Sequence, residues 1–331
     1  MKLLKNILCI IFFIVIFILS FIYLIHKKGP VFSYNGQEGS YSAALLRKYD
    51  YLLSLKNKKK IIVIGGSGVA FGLDGDLIKR ETGYEVVNLG LHAGMGQRIM
   101  LELSKAGISK GDIIILAFEL DYLEKSDDYL QRIGVDLVLQ GIDNRVSLYK
   151  NFYFESYKQV FNYLPIHYEK FVRNFKIEDV GSAVERIGMY NLVIFDERGY
   201  MTYPRNDFLR IFSDTQIHLN FSKEISLHKN FLKVIKNYKK FVEKKGANVY
   251  FAMAPVVDLS IASEKTKEIL MSAPIKIEEQ TEIPFISKNP LEYLFPQELM
   301  FDTTYHCNTK GAEYRSILLI KDLKENKIIS Y

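Results

Sequence analysis

Apolar and polar positions change in blocks along most of this chain, and the blocks have the lengths of strands and helices. Five apolar runs have the length of strands: residues 60–64, 85–89, 112–118, 248–254 and 283–287. Helical patterns lie between and after them, at residues 75–82, 97–107, 222–245 and 310–324. The run DIIILAF at 112–118 is apolar after its first residue, as expected of a strand buried on both faces.

This order of strands and helices predicts an α/β fold, a three-layer architecture in which a parallel sheet is flanked by helices. The alternation is lost between about residues 121 and 221, which are rich in Tyr, Phe, Lys and Arg. We interpret this part as a largely helical insertion, whose aromatic side chains either line a sugar-binding groove or, as is more common, belong to a core. Within it, residues 195–204 (FDERGYMTYP) predict a β-hairpin with Gly199 in the turn.

The N-terminal region has a different pattern. Residues Ile7 to Ile25 are nineteen residues without a charge, and a helix of that length spans roughly 30 Å, the thickness of the hydrocarbon core of a bilayer. His26 and two lysines follow, without the small residues of a cleavage site. We therefore predict an uncleaved single-pass membrane anchor over residues 1–29, with a buried core helix as the alternative. A stalk over residues 30–56 and the α/β domain over residues 57–331 would follow it.

The composition of the chain gives expectations for the location of the protein and for the kinds of partner it binds. The lysines on the two sides of the apolar run are nearly balanced; we expect the short tail inside the cell and the main domain outside the cytoplasm. The net charge of +6 comes from basic residues interspersed with acidic ones, which suits an anionic surface and does not indicate nucleic-acid binding. Cys9 and Cys307 lie near opposite ends of the chain, so we predict no disulfide. The histidines lack the spacing of a metal site, and we expect neither a metal nor a cofactor.

A candidate catalytic segment lies at the end of the first predicted strand, where an apolar run leads into Gly65-Gly66-Ser67-Gly68. In open parallel sheets, ligands bind beyond the carboxyl ends of the strands. A nucleotide site fits poorly, because the spacing is not G-x-G-x-x-G, no G-K-[ST] follows, and the second strand does not end in an acid. The other interpretation is a serine nucleophile: Ser67 follows the strand directly, and its glycine neighbours have no β-carbon to obstruct an acyl carbonyl.

A serine nucleophile needs a base and a group that orients the base. The segment FDTTYHCNTKGAEY carries Asp302 and His306 ahead of the last predicted helix. A loop at that place can return to the carboxyl edge of the sheet, where His306 could take the proton of Ser67 while Asp302 fixes the imidazole tautomer. The alternatives without chemistry are that Ser67 caps the first helix and that His306 is a capping or core-edge residue.

A strand ending in G-[GD]-S, a second strand ending in N-x-G and a C-terminal D…H-x-N-x-x-G together resemble the SGNH (GDSL-like) hydrolase superfamily. With its apolar N-terminus and inserted middle part, the chain is similar to the membrane-tethered branch of that superfamily. This branch includes the D-alanyl-transfer protein of teichoic acid operons and alginate O-acetylation proteins. The resemblance covers roughly residues 58–120 and 246–320 and implies an SGNH/flavodoxin-like sheet.

The resemblance also implies roles for individual residues. Ser67 matches the nucleophile, His306 the base and Asp302 the orienting acid. The backbone N–H groups of Ser67 and Gly90 match the two donors of the oxyanion hole. The implied reaction is attack of Ser67 on an acyl carbonyl and release of the acyl group from the serine.

Two positions depart from the family pattern. Asp302 stands four residues before the histidine instead of three, and the third strand leads to Glu119 where an asparagine would complete the oxyanion hole. Asn88 and Gln97 are candidates for the missing donor. His92 and Glu119 are candidates for contact with substrate.

The sequence therefore predicts a membrane-anchored acyltransferase or esterase that acts on a cell-surface polysaccharide or a teichoic-acid-like polymer. Relatives commonly work beside a multispanning membrane O-acyltransferase, so the resemblance implies such a partner. Because the asparagine is missing, a second hypothesis is a non-catalytic accessory protein of SGNH-like fold that binds polymer or docks the acyltransferase.

Overall fold

The computed structural model describes residues 2–28, 41–123, 141, 148, 190–205, 225–258 and 263–329. The chain divides into two compact units. The smaller unit contains Met1–Ala43 and Val135–Val193, and the larger contains Ala44–Gly134 and Ile194–Tyr331. The larger unit holds the sheet and every candidate site residue.

The smaller unit begins with helix α1, Lys2–Lys28. Large apolar side chains between Ile7 and Leu19 are exposed along it. In the part of the chain that the structure describes, no helix combines the length and the hydrophobicity needed to cross a membrane. The anchor over residues 1–29 stays a prediction.

The larger unit is built on a four-stranded parallel sheet, as the sequence predicts. The strands are β1 Lys60–Gly65, β2 Glu85–Gly90, β3 Ile113–Leu116 and β4 Asn248–Phe251. They lie in the order β2-β1-β3-β4, all parallel. The predicted fifth strand at 283–287 is reduced to a single parallel bridge between Phe251 and Phe285, beside a proline, Pro284, that has no N–H to donate. Two further strands, β5 Val256–Val257 and β6 Leu294–Phe295, pair with each other.

Helices cover both faces of the sheet. They are α2 Ala44–Ser54, α3 Ser67–Phe71, α4 Gly75–Thr82, α5 Gln97–Ser104, α6 Lys229–Lys244, α7 Glu264–Thr281 and α8 Thr309–Glu325. On one face, Ile61, Val63 and Ile115 pack in one core cluster with side chains of α3, α4 and α8. The alternate side chains of the same strands, such as Ile62, are also fully buried, and α2, α5 and α6 contact the sheet.

Two parts of the larger unit differ from the sequence prediction. Residues 44–54, assigned above to a stalk, form α2, and Leu45 and Leu52 are fully buried there. The compact unit therefore starts at Ala44 and not at residue 57. The sequence pattern concealed this helix because its inward face includes a lysine, Lys48. The sequence pattern does not predict helix α7 either, because Pro274 lies in its interior and interrupts the helical signal.

Most of the predicted insertion, residues 121–221, lies outside the described residues. The hairpin within it is confirmed: Phe195 and Met201 form an antiparallel bridge, and Gly199 has φ +76° in the turn. The helix predicted over 222–245 begins at Lys229, where His228 Nδ1 accepts a hydrogen bond from the Asn230 N–H (3.2 Å).

Candidate active site

The turn between β1 and α3 carries Ser67 at the carboxyl edge of the sheet. Ser67 is the first residue of α3 and is partly exposed, whereas the glycines on both sides of it are buried. The buried Gln97 amide, in the orientation that satisfies both groups, donates to Gly65 O (2.9 Å) and accepts from the Gly66 N–H (3.1 Å). Gln97 therefore fixes the turn through its backbone, and its amide is not an open donor for an oxyanion.

Gly90 lies beside this turn, paired in register with Gly65 of the neighbouring strand. A Cβ on Gly90 would overlap Val69 and the backbone of α3. The position therefore requires glycine because α3 packs directly on the end of β2.

The Gly90 N–H does not point to an open site. It donates to Asn88 Oδ1 (2.9 Å), while Asn88 Nδ2 donates to Val69 O (3.0 Å). Gly90 and Asn88 were both candidates for the oxyanion hole, and both assignments are wrong for this arrangement. Asn88 is 2% exposed, so its amide must find partners inside the protein, and it finds them in β2 and α3.

The histidine loop forms a tight antiparallel hairpin, closed by a bridge between Met300 and Cys307 and by a hydrogen bond from Phe301 N to His306 O (2.8 Å). Inside it, His306 Nδ1 lies 2.7 Å from Asp302 Oδ1, and both side chains are buried. A carboxylate only accepts hydrogen bonds, so Nδ1 carries the proton in the neutral ring and Nε2 is the basic nitrogen. The four-residue spacing of Asp302 and His306 thus brings the pair together.

Helix α3 and the histidine loop contact each other directly. The His306 ring stacks on Phe71, with centroids 4.0 Å apart and planes inclined by 1°. Phe71 follows Ser67 by four residues, so the two lie on the same side of the helix. A Cβ on Gly68 would lie 3.4 Å from the backbone oxygen of Tyr305. Helix α3 therefore contacts the histidine loop at Phe71 and Gly68, and the interaction between Ser67 and His306 stays a prediction.

Two buried arginines that sequence reasoning missed join these segments. Arg205 donates from Nε to Cys307 O and from Nη2 to Phe71 O, both at 3.1 Å. Arg315, on α8, donates from Nη1 to Gly68 O (3.0 Å). Burial lowers the pKa of Arg315. No pattern in the sequence marks an arginine as buried, because its role here depends on carbonyl groups distant in the chain.

Glu119 approaches the serine turn from the end of β3. Its side chain is 3% exposed, and Oε1 accepts a hydrogen bond from the Gly68 N–H (3.0 Å). A Cβ on Gly66 would overlap the Glu119 carboxylate. Position 66 therefore requires glycine, because the Glu119 carboxylate lies against it. Glu119 itself occupies the position at which the SGNH pattern expects an asparagine.

Neither Ser67 nor His306 caps a helix, whereas the burial of His306 against Phe71 is also compatible with a core-edge residue. The residue before α3 is Gly66, and Ser67 makes no capping hydrogen bond through its side chain. Among the residues that the structure describes, neither the hydroxyl nor the N–H of Ser67 has a hydrogen-bond partner. Helix α8 is capped by Asn308, whose Oδ1 accepts from the Gly311 N–H (2.8 Å). The Asn and Gly of the H-x-N-x-x-G pattern thus form the start of α8, and His306 is not part of the cap.

His92 lies on the loop after β2, at the same edge of the sheet. It is exposed, and its Nδ1 accepts from the Gly94 N–H (2.8 Å). This is the ordinary loop role that the sequence leaves open beside substrate contact, and contact with substrate stays a prediction.

Lys48 is a further buried group that the sequence did not reveal. Its ammonium donates to Gly199 O (2.6 Å) and Asn88 O (3.1 Å), and it lies 5.2 Å from the centroid of the Phe195 ring. Desolvation lowers the pKa of Lys48 to about 7, although the negative charge of Asp196 acts to raise it. Lys48 supports the strand that holds Asn88 and is thus connected to the serine turn through that residue.

No family model matches the chain, and no curated protein matches it in sequence. Among solved structures, it is similar to the crystal structure of the protein YxiM from Bacillus subtilis, at 13% sequence identity and a TM-score of 0.38. The match covers 83% of this chain and 58% of YxiM, so the chain spans less than two thirds of that protein.

Proposed function

We propose that this chain is a serine-dependent esterase or acyltransferase of the SGNH type. The observation that carries the proposal is the buried Asp302–His306 pair, 2.7 Å apart, stacked on the helix that Ser67 begins. The strand order β2-β1-β3-β4 is also that of the first four strands of flavodoxin-like sheets, which bind ligands at the carboxyl edge beside β1 and β3.

The reaction follows from the chemistry of these groups. The Ser67 oxygen attacks the acyl carbonyl carbon while His306 Nε2 takes the hydroxyl proton, and Asp302 stabilises the imidazolium that forms. The tetrahedral intermediate then collapses: the ester bond breaks, the leaving oxygen takes the proton from His306, and an acyl-serine remains. Water or an acceptor hydroxyl completes the cycle by attacking that ester, with His306 again acting as base.

The proposed substrate is an acyl ester, or an acyl acceptor, on a cell-surface polysaccharide or a teichoic-acid-like polymer. The apolar run of residues 7–25 and the net charge of +6 support a location at a membrane beside a polyanionic polymer. A multispanning O-acyltransferase in the same membrane is the proposed partner. Deletion of the gene should alter the ester-linked acyl content of the surface polymer, and a gene encoding Ser67→Ala should fail to restore it.

A fluorophosphonate probe, which labels activated serines, tests the enzyme assignment on the full chain in detergent. We expect labelling that is lost in Ser67→Ala and in His306→Asn. Ser54→Ala, which removes an exposed hydroxyl on α2, is the matched control and should label like the wild type. Labelling that persists in a folded Ser67→Ala variant would contradict the role of this serine.

The second candidate is a non-catalytic accessory protein, and one observation favours it. The N–H groups of Gly68 and Gly90 are already occupied by Glu119 and Asn88, and an oxyanion without preorganised donors forms slowly. A folded chain that neither reacts with the probe nor hydrolyses p-nitrophenyl acetate, yet binds surface polymer, would support this candidate against the enzyme.

A further inference from the structure

The backbone donors around Ser67 are nearly all in use. The Gly66 N–H donates to Gln97, the Gly68 N–H to Glu119 and the Gly90 N–H to Asn88. Among the described residues, only the Ser67 N–H of these four has no partner. An acyl-transfer site commonly stabilises its tetrahedral oxyanion with two or more preorganised donors. One of the occupied groups must therefore become available if Ser67 is to react at an enzymatic rate.

Of the three partners, Glu119 is the one that can leave without taking the turn apart. Gln97 binds both the carbonyl of Gly65 and the N–H of Gly66, and Asn88 binds both strand β2 and helix α3. Glu119 approaches from the end of β3 and accepts a hydrogen bond from the Gly68 N–H. Removal of its carboxylate would free a donor in the residue directly after Ser67.

The negative charge of Glu119 would also oppose the reaction of Ser67. An ionised carboxylate beside the serine turn repels the negative charge that develops on the substrate oxygen, and the repulsion is strong where water is excluded. The buried Arg315 interacts electrostatically with Glu119 and donates a hydrogen bond to the Gly68 carbonyl, so the carboxylate is not the only charge near the turn. Gly66 leaves room for the carboxylate in its present position.

We propose that Glu119 holds the site in a resting state, by occupying the Gly68 N–H with its own carboxylate until substrate binding displaces it. In the reactive state, the N–H groups of Ser67 and Gly68 together form the oxyanion hole. The inference rests on the proposed acyl-serine chemistry. It also gives a physical reason why an acid stands where the family pattern has an asparagine: the acid regulates a donor instead of supplying one.

The test compares Glu119→Ala, Glu119→Gln and wild type for the rate of fluorophosphonate labelling and for kcat on p-nitrophenyl acetate. One oxyanion donor is worth roughly 10²–10³ in kcat, so we expect Glu119→Ala to react at least tenfold faster than wild type. The Gln variant keeps an oxygen that can accept from Gly68 but has no charge, and it should lie between the two. Glu268→Ala, which removes an exposed acid on α7, should react like wild type.

A gain in rate distinguishes this role from a structural one, because loss of a structural contact lowers both the rate and the melting temperature. The double variant Ser67→Ala/Glu119→Ala must abolish the gain. If wild type and folded Glu119→Ala both label, and at equal rates, the inference is wrong while the proposed function stands. If neither labels, both are wrong. Should Glu119→Ala not fold, the isosteric Gln variant decides: a rate no higher than wild type overturns the inference.

Discussion

Replacement of Lys48 by methionine should remove the contribution of this residue to the pH dependence of stability above about pH 7. Lys48 is 0% exposed, and its ammonium is held by backbone carbonyls of Asn88 and Gly199. Desolvation lowers the pKa of Lys48 to about 7 in the folded protein, from 10.5 for an exposed lysine. Methionine has a similar length and no charge, so it fills the same space without the cost of burying an ammonium.

The size of the effect follows from proton linkage. Between about pH 7 and about pH 10.5, the unfolded chain holds the Lys48 proton while the folded chain has released it. The free energy of unfolding therefore rises with pH in this window, by up to roughly 1.4 kcal/mol per pH unit. Over the whole window, this amounts to roughly 5 kcal/mol, and to roughly 3 kcal/mol between pH 7 and pH 9.5. Below pH 7 the full cost of the buried charge is present.

Urea denaturation of wild type and Lys48→Met at half-unit steps from pH 6 to pH 9.5 measures the effect. All other titrating groups are common to both proteins, so the difference between the two unfolding free energies isolates Lys48. We expect Lys48→Met to be the more stable protein at pH 6 and its advantage to shrink as the pH rises. Lys233→Met, an exposed position on α6, should follow the wild type. A difference that stays constant across the pH range would refute the assignment of a depressed pKa to Lys48.

Three further predictions concern the site and the core. Asp302→Asn should lower kcat on p-nitrophenyl acetate by roughly 10³–10⁴, because the imidazole loses the carboxylate that fixes its tautomer; a loss below tenfold would argue against that role. Gly66→Ala places a methyl group on the Glu119 carboxylate and should cost roughly 1–3 kcal/mol in urea denaturation; adding Glu119→Ala should recover most of this, and additive losses would contradict the contact. Asp112→Ala removes the carboxylate that lies 2.8 Å from the buried Lys60 ammonium, which leaves that charge without a counter-ion, and should cost roughly 3–5 kcal/mol. An unchanged urea midpoint for Asp112→Ala would show that this ion pair does not stabilise the fold.

Local pattern was sufficient for most of the sheet and for the positions of Ser67 and His306. Strand β1 was predicted to within one residue, because a continuous apolar run between lysines and glycines leaves few alternatives. Helix α2 was missed because the side chain at position 48, a lysine, is inside the core. The apolar run at 283–287 predicts a full fifth strand, but only a single bridge to β4 forms, beside Pro284, which has no N–H to donate.

The oxyanion donors show the same limit of prediction from the sequence. The sequence pointed to Gly90 because its position in a motif implied an available N–H, but an N–H is available only if no side chain reaches it. The side chain of Asn88, two residues earlier in the chain, accepts a hydrogen bond from this N–H. A sequence pattern does not show in which direction that side chain points. Glu119 differs from the SGNH pattern in the sequence alone, but its contact with Gly68 joins residues 51 positions apart and appears only in the folded chain.

The amino-acid sequence by itself determined the class of fold, the edge of the sheet where chemistry is placed, and the Asp302–His306 pairing, because each depends on periodicity or on residues close together in the chain. Only the tertiary structure decided which polar groups around Ser67 are already satisfied. The packing of segments distant in the chain decides which buried groups form hydrogen bonds with one another. The availability of the N–H groups around Ser67 therefore depends on the tertiary structure.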